Sequence, residues 1–215
     1  MDNEIPEIKV IPSYKDKVKI FYQQNKILIY FIFIILLISI LGTTFYFKQK
    51  EKKHLYLSDL YIEAKIDINS NNNEDAKKKL IEIINANNNT YSPLSLFLII
   101  DSNLIKDNKK LIDFFDQVTK NNKFEKEILD LINFKKIIVQ SDYLNESEFL
   151  EVVNPLINSD SIWSAQAMLL LGDYFYSKKD FYKAKESYLR ILTVEDNDML
   201  HQQAKNRLLQ DFHDK

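Results

Sequence analysis

The chain has 215 residues, a formal net charge of −2, and 27 Lys against only 2 Arg. This length leaves room for one or two domains. The near-neutral charge lacks the basic footprint of a nucleic-acid-binding protein, so no nucleic-acid partner is predicted. The absence of cysteine excludes a disulfide framework, a thiolate metal site and a catalytic thiol. It also excludes a bacterial lipoprotein, whose lipid is attached to an N-terminal cysteine.

The clearest feature in chain order is an uncharged apolar segment that begins at Ile27 and ends at Phe47, between Lys26 and Lys48. As a helix, 21 residues cover roughly 30 Å, the thickness of a bilayer hydrocarbon core. A cleaved signal peptide has a shorter apolar core and a small-residue cleavage site. The pattern therefore predicts a retained transmembrane helix over 27–47, preceded by a tail over 1–26 and followed by a domain over 48–215.

The orientation of this span stays open on residue counts. Five lysines lie within 1–26 and four within 48–53, a difference too small for the positive-inside rule to decide. The tail also contains Pro6, Pro12 and several acidic residues, which predicts a short disordered segment.

Beyond the span, apolar residues recur at i, i+3, i+4 and i+7, separated by short polar breaks, and no stretch alternates with the period of two that indicates a strand. The fold class predicted for this part is all-α. The successive apolar stripes are Leu57, Leu60, Tyr61, Ala64 and Ile68; Ala76, Leu80, Ile83 and Ile84; Leu94, Phe97 and Leu98; Leu111, Phe115 and Val118; Phe124, Ile128, Leu131 and Ile132; Phe149, Val153, Leu156 and Ile157; and three more over 167–175, 181–192 and 200–212.

In two of these helical pairs, a small residue on the first helix is followed 12 residues later by a small residue on the second. We call this 12-residue separation the pair spacing. It separates Ala64 from Ala76 and Gly172 from Ala184. Glycine inside a helix costs about 1 kcal/mol relative to alanine, so Gly172 predicts a close contact between two antiparallel helices. The distance from Ala76 to Ala184 fits about three tetratricopeptide periods of roughly 34 residues. The residues predicted to pack the repeats are Ala64, Ala76, Leu80, Ile83, Leu171, Gly172, Phe175, Phe181, Ala184, Tyr188 and Ile191.

The clearest repeat, over 165–198, resembles the tetratricopeptide consensus in residue type and spacing. The middle repeats, about 91–121 and 124–158, keep only the helical pattern. We therefore expect an α-solenoid of about four degenerate helical pairs with a C-terminal capping helix over 200–212. The residues that match the consensus are Ala165, Leu171, Gly172, Phe175, Phe181, Ala184, Tyr188 and Ile191.

The whole-chain layout, with a tail, one anchor and weak repeats, resembles the bacterial YfgM-like family, whose domain is shared by the ancillary SecYEG translocon subunit and the cell-division coordinator CpoB. The likeness is strongest after residue 160, including the lead-in at Trp163. It implies a single-pass inner-membrane protein with a cytoplasmic N-terminus and periplasmic repeats. It further implies protein partners among Sec translocon subunits, periplasmic chaperones or client proteins.

No catalytic, metal-binding or cofactor-binding pattern is present, so the chain is predicted not to be an enzyme and to need no cofactor. His54, His201 and His213 lack the spacing of a zinc motif, and two glycines cannot form a dinucleotide or phosphate loop. The two C-terminal histidines are predicted to lie on a solvated helix face.

What remains is binding by surface, which stacked helical pairs provide on the face lined by the first helix of each pair. Two other functions stay open: a cytosol-facing, N-anchored import receptor, and an assembly or scaffold factor for another membrane complex. The candidate partner-binding residues on the inner face are Ser58, Tyr61, Lys65, Gln166, Asp173 and Tyr176.

Overall fold

The computed structural model describes residues 13–194 and 198–212, which form nine α-helices and no strand. The all-α prediction is confirmed. The helices are α1 (Tyr14–Asn69), α2 (Asn73–Asn85), α3 (Tyr91–Asp101), α4 (Asn108–Asn121), α5 (Lys126–Ser141), α6 (Glu146–Ile157), α7 (Ser164–Ser177), α8 (Phe181–Ile191) and α9 (Asp198–Phe212).

The first helix begins earlier than the sequence predicts. The prediction of a disordered tail is wrong from Tyr14 onward, because Asp16 accepts a hydrogen bond from the backbone N–H of Ser13 (3.2 Å) and starts the helix there. A carboxylate in the first turn also favours a helix N-terminus. The helix is interrupted at Asn25, whose backbone is non-helical. The predicted tail residues 1–12 lie outside the described residues.

The chain divides into two compact units, Met1–Leu55 and Tyr56–Lys215, and the boundary falls within α1. In the first unit, α1 carries the apolar segment over 27–47. Within the described residues one helix is long and apolar enough to cross a membrane, and none of its most apolar window is buried. Length and composition alone make this segment a candidate span.

In the second unit the helices recur at a near-constant interval. The even-numbered helices begin at positions 73, 108, 146 and 181, and the odd-numbered helices from α3 onward at positions 91, 126, 164 and 198. Each step is close to the tetratricopeptide period of about 34 residues. Side-chain bonds among the described residues follow the same interval. Those that join residues 34 apart are Asn87–Asn121, Asp101–Lys135, Lys126–Asp160 and Asp173–Arg207.

The pair spacing that singles out Ala64 and Gly172 continues through the middle of the unit. One buried residue on each odd-numbered helix from α1 to α7 is followed, at this spacing, by a buried residue on the next helix. All four helical pairs therefore share one register, although only the outer two use small residues. The pairs are Ala64 and Ala76, Ile99 and Leu111, Ile137 and Phe149, and Gly172 and Ala184.

The core of the second unit consists of two apolar clusters. One is built from the end of α1 and helices α2 to α5, and includes Leu57, Leu80 and Phe115. The other is built from α5 to α9 and includes Phe149 and Tyr188. Helix α5 contributes to both clusters, so it joins the two halves of the core.

Two predicted stripes differ from the structure. In α3 the predicted face is wrong at Leu94, which is exposed, whereas Phe97 and Leu98 are partly buried against the core and Ser92 and Ser95 are buried. The Ser92 hydroxyl donates to the backbone carbonyl of Ile83 (2.8 Å), so a small polar side chain can face the neighbouring helix. The second stripe is the one predicted to begin at Phe124. Phe124 precedes α5, which begins at Lys126, and Ile128 is exposed.

Asparagine ends several of the helices. Asn71, Asn87 and Asn103 adopt positive φ angles of 61°, 50° and 50°, and Lys179 one of 64°. Positive φ is uncommon for residues other than glycine, and asparagine tolerates it better than most. After three of these residues, a backbone N–H bonds back to a carbonyl five residues earlier, which closes the helix end. Asparagine therefore adopts, at these helix ends, the conformation that glycine usually supplies, in a chain with only two glycines.

Candidate protein-binding surface

The odd-numbered helices of the second unit contact one another in series. Tyr61 on α1 and Tyr91 on α3 have ring centroids 6.0 Å apart. The Lys135 ammonium on α5 lies 5.7 Å from the centre of the Phe97 ring on α3. Phe134 on α5 stacks on Trp163, with centroids 5.9 Å apart. We call this series of α1 from Tyr56 onward, α3, α5, α7 and α9 the odd-helix row.

The predicted binding residues of the first repeat lie on this row with different exposures. Lys65 is exposed, whereas Ser58 and Tyr61 are partly buried. Burial raises the pKa of the Tyr61 hydroxyl, and the charge of Asp101 raises it further. Tyr61 therefore stays protonated at neutral pH and can act as a hydrogen-bond donor.

In the last repeat, Asp173 is committed to contacts within the chain. Its carboxylate accepts a hydrogen bond from the Tyr188 hydroxyl (2.8 Å) and forms an ion pair with Arg207, with Nε and Oδ1 3.0 Å apart. These contacts join α7 to α8 and α9. Tyr176 packs edge-on against Phe181, with centroids 5.4 Å apart, and Gln166 is partly buried. Asp173 is thus occupied, whereas the prediction gave it to a partner.

The structure explains why position 172 is occupied by glycine. A Cβ atom placed at Gly172 would lie 2.3 Å from Cε1 of Tyr188, a distance that real atoms do not tolerate. The ring of Tyr188 therefore occupies the space where a side chain at Gly172 would be, and the closest atoms belong to Tyr188 where the sequence indicated Ala184. Of the residues predicted to pack the repeats, Phe181 is partly buried, and those buried are Ala64, Ala76, Leu80, Ile83, Leu171, Gly172, Phe175, Ala184, Tyr188 and Ile191.

A groove opens between α5 and α6, one helical pair before this closed contact. It has a volume of about 320 Å³ and is lined on α5 by Asp130, Asn133, Lys136, Ile137 and Gln140. Residues on α6 and just after it close the other side: Val152, Pro155, Leu156 and Ser159.

The α5 side of this groove is polar at positions where α7 is apolar. In the shared register, Asp130 takes the position of Ala165, Asn133 that of Met168, and Gln140 that of Phe175. Sequence reasoning missed these residues because it aligned only the first and last repeats. Extending the pair spacing to Ile137 and Phe149 would have found them.

The charged side chains at the groove differ in whether they have a bonding partner. Lys136 bonds to Asp116 on α4 (Nζ to Oδ1, 2.6 Å), and Lys126, one turn before Asp130, bonds to Asp160. Within the described residues, Oδ2 of Asp130 is covered from solvent and makes no hydrogen bond. A covered carboxylate oxygen without a donor loses the hydration that it has in the unfolded chain.

Comparison with known families bears on what this surface does. The family described as "Tetratricopeptide repeat-like domain" matches residues 19–206 of the chain. The chain belongs to this family. Tetratricopeptide repeat-like domains serve protein–protein interaction, so a protein-binding role follows from membership. No curated protein and no solved structure shows significant similarity to the chain.

The polar clusters of this tetratricopeptide repeat-like chain do not resemble a metal centre. Among residues 13–194 and 198–212, no group of three His, Asp or Glu side chains could hold a metal ion. His201 is partly buried and one ring nitrogen lies 2.7 Å from the backbone carbonyl oxygen of Val194, so the prediction of a solvated face is wrong for this residue. His213 lies outside the described residues.

Proposed function

We propose that the chain is a single-pass protein of the bacterial inner membrane that acts as an adaptor at the periplasmic side of the Sec translocon. In this proposal residues 1–26 are cytoplasmic, 27–47 cross the membrane, and 48–215 form the periplasmic repeat domain. The domain binds translocon subunits and assists secreted or envelope proteins, with links to periplasmic chaperones.

The anchor is supported by the contrast within α1. Over 27–47 every described side chain is exposed although the segment carries no charge. An apolar surface of that length on all sides of a helix has no favourable place in water, whereas it suits the hydrocarbon core of a bilayer.

The odd-helix row is the observation that carries the adaptor role. Contacts between helices two apart, repeated at an interval of about 34 residues, support a solenoid of helical pairs. Such an array offers an extended surface formed by several repeats. Tyr61, Lys65 and Tyr176 on this row, together with the α5–α6 groove, are the proposed contact points.

Alkaline carbonate extraction tests the anchor. Wild-type protein should stay in the membrane pellet, because an inserted helix is held by buried apolar area and a peripheral one mainly by shallow contacts. Lysines introduced together at Ile35 and Leu37 each cost about 2.5–3.5 kcal/mol at a span centre, so this variant should move to the soluble fraction. Paired lysines at the exposed positions Gln49 and Glu51 are the matched control. Release of the wild-type protein would contradict the anchor.

Affinity purification in mild detergent tests the partner. Translocon subunits should copurify with the wild-type chain, and a reporter active only in the periplasm should be active when fused after Lys215. Copurification with another membrane complex instead would favour an assembly factor. An inactive periplasmic reporter, with a cytosolic one active at the same site, would favour an import receptor.

A further inference from the structure

The α5–α6 groove combines an apolar floor with an acidic side chain in its wall. Ile137 and Leu156 are buried at its base, and Asp130 lines its wall with a covered oxygen that has no donor among the described residues. An apolar residue at Asp130, like Ala165 in the equivalent place on α7, would close the pair without that cost. Asp130 therefore presents a negative group to the groove, which suits a ligand that supplies a positive charge.

The opposite wall of the groove, on α6, includes Pro155, which has no backbone N–H to donate. Ser159 at the end of the groove contributes a hydroxyl oxygen. An ammonium or guanidinium group has several donors and no acceptor, which fits a wall of oxygens.

The surrounding charges favour a cation over an anion. The lysine in the groove, Lys136, is neutralised by its bond to Asp116, and the side chain of Glu151 is exposed beside Pro155. The net charge that a ligand meets here is negative. The aliphatic stem of a basic side chain can lie along Ile137 and Leu156 while its charged end reaches Asp130, as long cationic side chains do elsewhere.

We propose that the α5–α6 groove binds a lysine or arginine side chain of a protein partner, with the Asp130 carboxylate as the charge-pairing group. This inference names the contact chemistry of the proposed adaptor and rests on its role as a binder of proteins. Ile137 and Leu156 hold the stem, and the amide oxygen of Asn133 and the hydroxyl oxygen of Ser159 provide further acceptors.

Saturation-transfer NMR on the full chain in nanodiscs tests this assignment with two matched probes. Nα-acetyl-lysine methylamide carries the ammonium, and Nα-acetyl-norleucine methylamide carries the same stem without it. The lysine probe should bind the wild-type chain, and Asp130→Asn should weaken this binding about tenfold or more, because a charge-assisted bond is lost. Asp113→Asn, an exposed carboxylate on α4, should leave the binding unchanged.

Asp130→Ala provides the second variant, since alanine occupies the equivalent position of α7, and a cooperative thermal transition at or above the wild-type midpoint establishes that either variant is folded. Equal binding of the two probes, or lysine-probe binding that survives both Asp130 variants, would overturn the proposal. The outcome is separable from the proposed function. Probe binding without translocon copurification would refute the Sec assignment alone, and copurification without probe binding would refute the groove alone.

Discussion

The α7–α8 and α5–α6 pairs occupy the same register and use it differently. In α7–α8 the ring of Tyr188 covers Gly172, and the pair is closed. In α5–α6 the equivalent positions hold Ile137 and Val153, and polar residues beside Ile137 leave a groove. The spacing of buried residues therefore sets how two helices pair. The residues beside them determine whether the space between the two helices is filled or forms a groove.

The largest expected effect comes from filling the space that Tyr188 occupies. Gly172→Leu should lower the free energy of unfolding by about 3 kcal/mol, the upper part of the range for overpacking, because the buried ring cannot move away. Urea unfolding followed by fluorescence of Trp163, the chain's one tryptophan, measures this for the full chain in mild detergent. The control is Gly42→Leu at the other glycine, where a Cβ atom would meet no neighbouring atom within 4 Å. This variant should leave the free energy of unfolding unchanged. Equal stability of wild type and Gly172→Leu would show that the helix register is wrong.

A double-mutant cycle tests whether the closed α7–α8 pair can be converted toward the arrangement of the α5–α6 pair. Gly172→Ala and Tyr188→Val should each destabilise the chain, the first by overpacking and the second by leaving a cavity. Together they resemble Ile137 and Val153, so the combined loss should be about 1–2 kcal/mol smaller than the sum of the two. Additive losses in the same urea experiment would mean that the two side chains do not share one space.

The hydroxyl of Tyr188 tests the contact that joins α7 to α8. Tyr188→Phe should cost about 1.5 kcal/mol, the lower end for a hydrogen bond to a charged group, because Asp173 keeps its ion pair with Arg207. Tyr182→Phe on the same helix, where the side chain is 81 % exposed, is the control and should leave stability unchanged. A loss as large in the control would remove the hydroxyl contact as the cause.

The smallest effect has the opposite sign. Asp130→Ala gives α5 the residue that α7 has at this position, and should raise the free energy of unfolding by about 0.5–1 kcal/mol through helix propensity and the removal of a covered charge. Asp113→Ala on the exposed face of α4 should gain only the propensity contribution. If Asp130→Ala instead lowers the stability by about 1 kcal/mol or more, the carboxylate stabilises the fold.

Residue patterns predict much of this fold. Apolar stripes of helical period locate all the helices of the second unit, and the pair spacing identifies Ala64, Ala76, Gly172 and Ala184 as buried. The failures have local causes. Ser92 and Ser95 have polar side chains, yet both are small enough to be buried, and Ser92 bonds to the backbone of α2. The helix begins at Tyr14 through local bonds between Ser13 and Asp16, which no apolar stripe indicates.

The candidate site was less predictable for a different reason. Single-residue patterns assign a polar side chain such as Asp130 to solvent, and only the alignment of α5 with α7 shows that the equivalent position, Ala165, is buried. Asp173 was selected for its predicted inner face, but its contacts come from α8 and α9, which one helix's periodicity does not include.

Photo-crosslinking in intact membranes tests the central claim, that a membrane-anchored chain receives a Sec partner at its open pair and leaves its closed pair unused. A benzophenone side chain would replace Asn133 in the groove or, as the matched control, the exposed Glu186 on α8. The account predicts an adduct with a translocon subunit from position 133 only, weakened when Asp130→Asn is added. Adducts of equal yield from both positions, or none with a translocon subunit from position 133, would contradict it.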